Sequence, residues 1–253
     1  MIKRSVNQFD RTIRLLGNGA VEQLGRAKVG VFGLGAVGSF VTETLARSGV
    51  GYLRLVDFDR VEASNLNRQL YALHSTLGQK KAKIARDRVL DIHPECRVEI
   101  CDTFVNAESL DTLLSDDLDV VVDAIDGLNS KVNLLVAARQ MNLSVVSSMG
   151  AGGRMDVSLI RTGDISETQV CPLARVVRRR LHRRGVFTGI RCVYSLEVPV
   201  RSPDATLSPD QASDASGEGT GHGRQRPPIG TIPWIPGIFG LTLAAEAVRI
   251  ITR

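Results

Sequence analysis

The first half of the chain alternates short apolar runs with stretches whose apolar residues recur at helical spacing. Residues 28–32 and 51–56 read as strands, and between them Phe40, Val41, Thr44 and Leu45 line one face of a helix over 37–47. Residues 119–124 and 143–147 supply two more strands, separated by an amphipathic helix over 129–141. This alternation is the signature of stacked βαβ units on a parallel sheet.

The rhythm changes after residue 150. Gly150-Ala151-Gly152-Gly153 breaks it, residues 155–160 read as a further strand, and Pro172 opens a helix, a position where proline is tolerated. Residues 201–228 are rich in Ser, Asp, Gly and Pro and almost lack apolar side chains, so burial cannot offset their ordering entropy and a mobile loop is expected. Residues 229–245 are apolar enough for a membrane span. Pro233, Pro236, Gly237 and Gly240 interrupt their first half and Glu246 follows, which favours a buried loop running into a carboxy-terminal helix, with no membrane contact. No internal repeat is visible.

A chain of 253 residues with 43% hydrophobic content can bury one sizeable core. Residues 1–10 carry no continuous apolar run, so no secretory signal is expected and the cytoplasm is the expected location. The four cysteines, Cys96, Cys101, Cys171 and Cys192, form no C-x-x-C pair, which argues against a zinc ribbon. Cys101 and Cys192 lie in strand-like stretches as small hydrophobes. Cys171 precedes a proline, and nothing near it in sequence marks an activating base. The net charge of +5 is concentrated, because Arg175, Arg178, Arg179, Arg180, Arg183 and Arg184 fall within ten residues. That run either faces a polyanion or forms a solvated helix face.

The candidate chemistry begins at Gly33-Leu34-Gly35-Ala36-Val37-Gly38, which follows a strand and opens a helix. Such a turn lets backbone amides approach a phosphate, and the helix amino terminus adds partial positive charge. Asp57 ends the second strand, where a carboxylate can accept hydrogen bonds from ribose hydroxyls. These features suit NAD as well as ATP. The segment Phe58 to Gln69 is polar and long where a dehydrogenase would turn quickly into its next helix, and Asn65, Arg68 and Gln69 crowd it with donors. Lys81 follows on a helix expected to begin near Leu77. An arginine and a lysine aimed at the turn would neutralise a triphosphate, which hydride transfer does not require. Asp126, past the strand over 119–124, either holds Mg²⁺ against the phosphates or caps the next helix.

Taken in order, Gly33 to Gly38, Asp57-Phe58-Asp59, Ser64-Asn65-Leu66-Asn67-Arg68-Gln69, Lys81 and Asp123-Ala124-Ile125-Asp126 resemble the adenylating family that includes ThiF, MoeB and the catalytic domains of ubiquitin-activating enzymes. The resemblance implies an α/β fold with a doubly wound, mostly parallel sheet of Rossmann type and a carboxy-terminal extension of strand and helix. It implies one domain over 1–253, with a nucleotide-binding core over 1–150 and a substrate and dimer region over 151–253. Gly33, Gly35, Ala36, Gly38, Asp57, Asp59 and Gln69 would form the nucleotide site, with Asn65, Arg68 and Lys81 on the phosphates and Asp126 on Mg²⁺. An arginine near the amino terminus, matched by Arg11 or else Arg14, would reach into the ATP site of the partner subunit, which implies a homodimer.

Cys171-Pro172-Leu173-Ala174-Arg175, Arg191-Cys192-Val193-Tyr194-Ser195-Leu196-Glu197 and the segment Pro227 to Gly237 extend the likeness to the subgroup of tRNA threonylcarbamoyladenosine dehydratases. This implies ATP-driven activation of the threonyl carboxylate of a modified adenosine beside the anticodon, then ring closure with net loss of water. It makes tRNA the partner, and favours RNA contact for the arginine cluster. A sulfur-trafficking partner and a monovalent cation are compatible with the same likeness, and zinc is not expected. Activation of a carrier or ubiquitin-like protein through the same ATP site is the alternative. Two features depart from the pattern: Ala36 stands where many relatives carry glycine, and the insertion over 201–228 has no clear counterpart.

Overall fold

In a computed structural model describing residues 8–200 and 229–253, the apolar runs become β1 (Lys28–Phe32), β2 (Tyr52–Val56), β4 (Val120–Asp123) and β5 (Ser144–Ser148). They are joined by β3 (Arg97–Cys101), β6 (Ile160–Asp164) and β7 (Arg191–Ser195) in one sheet of order β3-β2-β1-β4-β5-β7-β6. Every pairing is parallel except that of β6 with β7. All four β4 side chains are buried, as are four of the five on β1. Strands covered on both faces read as continuous apolar runs, which is why the sequence shows them plainly.

The helices are α1 (Asp10–Leu16), α2 (Asn18–Arg26), α3 (Gly38–Ser48), α4 (Lys81–Ile92), α5 (Leu110–Leu113), α6 (Leu128–Gln140), α7 (Pro172–His182) and α8 (Trp234–Ile251). From β1 the chain builds outward through β2 to β3, then returns to place β4 on the other flank of β1. At that reversal the carboxyl ends of β1 and β4 diverge and leave a crevice. The register pairs Phe32 with Asp123, so the turn at Gly33 and the turn at Ala124 leave the sheet side by side.

Three expectations shift. The strand expected over 155–160 starts only at Ile160, because Asp156 Oδ1 accepts from the Ser158 amide and hydroxyl and bends residues 157–159 into a 3₁₀ turn. The helix expected near Leu77 begins at Lys81, after Gly78 takes a left-handed φ of 77°. Third, Pro236, Gly237 and Gly240 lie inside α8 rather than breaking it. Pro236 falls in the first turn, whose amides have no helical acceptor. Gly240 presses on α3, where an added Cβ would stand 2.5 Å from Val37 O and 2.7 Å from Phe40 Cβ. Among the described residues α8 is the one helix long and apolar enough to cross a membrane, yet Phe239, Leu243, Ala244 and Ala247 are wholly buried against the body of the protein.

The loop expected over 201–228 lies outside the described residues. The residues bracketing it meet at Gly153, whose amide donates to Gly230 O at 2.8 Å and whose carbonyl accepts from Val200 N at 2.7 Å.

Candidate active site

The glycine turn joins β1 to α3 at the crevice. Gly33 adopts φ 89°, and its amide donates to Val56 O at 2.8 Å. A Cβ there would lie 2.7 Å from Ala124 O, and one on Gly38 would run into Gly33 O. The fold itself therefore demands glycine at both positions. Gly35 is different, since an added Cβ would meet only the Gln69 amide group, at an ordinary 3.7 Å. Nothing within the protein requires glycine at Gly35, and its bare backbone leaves the turn open to an incoming phosphate at the amino end of α3.

Asp57 leaves β2 directly behind this turn and is 8% exposed. Its Oδ2 accepts from Leu34 N at 2.6 Å and its Oδ1 from Asp59 N at 2.8 Å, so the carboxylate fixes the turn as well as facing the crevice. Burial pushes its carboxyl above the usual aspartate range, against the counter-pull of Lys81 and the two amides. Lys81, the first residue of α4, is buried, and its Nζ donates to Asp59 Oδ2 at 2.9 Å. Asp59 remains half-exposed and Lys81 does not, so the pair holds the ammonium at the rim of the crevice.

The polar segment after Asp59 folds over the turn, tied to α3 by the Leu70 amide, which donates to Ser39 Oγ at 3.2 Å. Gln69 reaches Gly35. Asn65 is buried and bonded within its own turn, its Oδ1 accepting from Glu62 N and its Nδ2 donating to Ser64 Oγ. Arg68 is half-buried and rests one guanidinium nitrogen, Nη1, on Ser64 O and Asn67 Oδ1 at 2.7 and 2.8 Å. Its Nε and Nη2 carry no hydrogen bond among the described residues.

Asp126 sits on the exposed turn after β4, a turn whose Ala124 and Ile125 backbone abuts Gly33. The capping role is not taken up: Gly127 is the cap of α6 and no side chain bonds there. Among the described residues Asp126 has no hydrogen-bond or ion-pair partner. Among those residues, too, no group of three metal-ligating side chains is assembled. One free carboxylate beside a phosphate turn nevertheless fits Mg²⁺, which is typically held by one or two carboxylates together with substrate phosphates and water.

Beneath this turn lies a device that sequence reasoning missed. Asp123 and Lys131 are both wholly buried and paired at 2.6 Å. Asp123 Oδ2 also accepts from Ser147 Oγ at 2.6 Å, its Oδ1 from Ile125 N at 3.1 Å, and Lys131 Nζ donates to Ser148 O at 3.0 Å. The pair clamps β4, β5 and α6 together and sets the path of the turn carrying Asp126. A lysine inside an apolar helix opposite a strand-end aspartate was the available signal. Arg154 was missed as well. It is 3% exposed, donates to Gly150 O, Gly152 O and Glu197 O, and leaves Nη2 without a partner, thereby gathering the turn that follows β5.

The arginine cluster divides. Arg178 turns inward, donating to Thr168 O and Thr168 Oγ1 at 2.7 Å, and so belongs to the fold rather than to a free basic face. Arg180 and Arg184 reach across to Asn129 and Asn133 of α6 at 2.5 and 2.6 Å. Arg175, Arg179 and Arg183 remain exposed. At the amino end, Arg11 is exposed and unpartnered among the described residues, whereas Arg14 is paired with Asp10 at 3.0 Å.

Comparison with known proteins places this geometry. The chain is 34% identical over 243 residues to a tRNA threonylcarbamoyladenosine dehydratase of Bacillus subtilis, covering 96% of this chain and 94% of that one. It is 33% identical over 251 residues to the protein of that name from Escherichia coli, covering 96% and 92%. The crystal structure of the E. coli tRNA N6-threonylcarbamoyladenosine dehydratase in complex with ATP superimposes with a TM-score of 0.82 at 31% identity, over 96% of this chain and 93% of that one. The same enzyme has been solved with AMP, and it fits equally well. The family model of the ThiF family matches residues 9–253. This chain belongs to the ThiF family.

Proposed function

We propose that this protein is an ATP-dependent tRNA threonylcarbamoyladenosine dehydratase that activates a carboxylate by adenylation. The reading is carried by a phosphate turn left open at Gly35, ringed by the cations of Lys81 and Arg68 and the free carboxylate of Asp126, in a chain that matches enzymes of that name over nearly its whole length.

A carboxylate oxygen is a poor leaving group. The threonyl carboxylate attacks the α-phosphorus of ATP, pyrophosphate departs, and the acyl adenylate carries AMP as its leaving group. The neighbouring carbamoyl group then attacks the activated carbonyl at high effective concentration, closes the ring and expels AMP. No enzyme thiol takes part, which accords with the burial of Cys171 and Cys192. Asp57 receives the ribose hydroxyls, and Lys81, Arg68 and Asn65 offset charge on the phosphates as pyrophosphate leaves. Asp126 would hold Mg²⁺, which supplies charge neutralisation between the phosphates. The protein acts as a homodimer in the cytoplasm, with Arg11, exposed and unpartnered among the described residues, entering the second subunit's site.

The test is AMP release from labelled ATP. AMP should form in proportion to tRNA bearing the threonylcarbamoyl group and not with tRNA that lacks it. AMP formation driven instead by a carrier protein ending in Gly-Gly would overturn the choice of substrate and favour carrier activation. In the same assay Lys81→Ala and Arg68→Ala should each lower kcat by about 10²-fold or more, the scale of losing one charge-stabilising contact.

A further inference from the structure

We infer that α7 and the loop after it form an RNA track that ends in a base-stacking platform at Phe187; this rests on the reading of tRNA as substrate. The track begins beside the turn after β5, where Cys171 Sγ would stand 3.5 Å from a Cβ on Gly150. From there Arg175, Arg179 and Arg183 recur at a spacing of four residues and share one exposed face. None of the three has a carboxylate partner among the described residues. The asparagine contacts of Arg180 and Arg184 on α6 hold α7 in place and orient that face.

Beyond Arg183 the chain turns at Gly185 and Gly189, both with left-handed φ, and presents Phe187 at 58% exposure. Its ring leans on that of His182, with centroids 5.1 Å apart and planes 41° apart. Phe187 borders a hollow lined by Arg139, Gln140, Arg184, Gly185, Val186 and Thr188. Neither Arg139 nor Arg184 has a carboxylate partner among the described residues. The Arg139 guanidinium packs on the Gly189 backbone, where an added Cβ would stand 2.8 Å from Nη2.

A single exposed aromatic ring is ordinary on a protein surface, so the setting of Phe187 rather than its exposure points to a ligand. Here it is set among arginines, the combination that takes unpaired bases by stacking while cations hold the phosphates. An acidic protein would satisfy the cations but gives no reason for the paired rings. The α7 helix spans about 16 Å, so the track runs that far from the turn after β5 to the loop that carries Phe187. A tRNA whose modified base enters the crevice thus meets Arg175 first and the platform last, with an unpaired nucleotide stacked on Phe187.

Two variants and two readouts test this. Phe187→Ala should weaken tRNA binding by about 5- to 150-fold, the range for one stacked base, and raise KM for tRNA in parallel. Phe187→Trp should restore both. Arg179→Ala with Arg183→Ala should lower the slope of log Kd against log salt by about 1.5, while Phe187→Ala leaves that slope unchanged. ATP affinity and the melting curve should match the unmodified protein in every case, since the altered side chains are exposed. Unaltered tRNA affinity and salt slope in these variants, with the unmodified protein binding and converting tRNA, would overturn the track and leave the proposed function standing. Failure of the unmodified protein to bind tRNA at all would overturn both.

Discussion

Asp57 answers to two demands that pull in opposite directions. In the proposed function its carboxylate must be ionised to receive ribose hydroxyls, yet burial raises its pKa and so penalises the charge. Because the folded value stands above the unfolded one, this group favours the fold below the unfolded range and loses that contribution as pH rises through the folded value. Nucleotide binding has the reverse dependence. Affinity for adenosine, which has no phosphates to titrate, should fall on acidification at a pH above the ordinary aspartate value of about 3.9. Asp57→Asn should bind weakly at every pH without that limb, yet melt within about 1 kcal/mol of the unmodified protein, because relief from burying a charge offsets a lost amide contact. Lys131 has no such freedom. Lys131→Met leaves Asp123 buried without its ion-pair partner, and should cost about 3–5 kcal/mol in chemical denaturation. Adding Asp123→Asn should return a large part of that, and a double variant as unstable as the single one would contradict the pairing.

At the scale of elements, the packing of α8 on α3 decides whether the apolar carboxy-terminal stretch is a core helix. Gly240→Ala drives a methyl group into the Val37 carbonyl and should destabilise by about 1–3 kcal/mol, measured by urea unfolding. An unchanged midpoint would mean that the two helices do not meet there. The same contact explains what a sequence can and cannot disclose. Strands such as β1 and β4 were legible to within a residue because both faces are buried and all but their terminal positions, Lys28 and Asp123, are apolar or glycine. The glycine turn, Asp57 and Lys81 were legible because local chain order sets their spacing. Gly237 and Gly240 read as helix breakers because the reason for them is the surface of α3, nearly two hundred residues earlier in the chain. Arg178 read as one of six equal cations because its acceptors lie on the 3₁₀ turn of residues 165–167 and on Thr168 rather than on its own helix. The onset of β6 was displaced by a single side chain, Asp156, competing for backbone amides.

At the scale of the whole molecule, the crevice between β1 and β4 gathers groups from three connections, β1 to α3, β2 to α4 and β4 to α6, while Arg11 lies on α1, a helix with no buried residue of its own. A homodimer with composite sites makes a complementation prediction. Arg11→Ala and Lys81→Ala subunits, each inactive alone, should regain about a quarter of full activity when mixed, because half of the dimers are mixed and each of those holds one intact site. No recovery, with subunit exchange verified, would place Arg11 outside the neighbouring site.

In the proposed reaction ATP is spent on removing a carboxylate oxygen from tRNA. Threonylcarbamoyl tRNA carrying heavy oxygen in that carboxylate should be incubated with the protein and ATP, then digested and weighed by mass spectrometry alongside the nucleotide released. The expected products are a nucleoside lighter by one water and AMP that has gained one heavy oxygen. An unchanged nucleoside in the presence of bound ATP, or a cyclised nucleoside with unlabelled AMP, would contradict it.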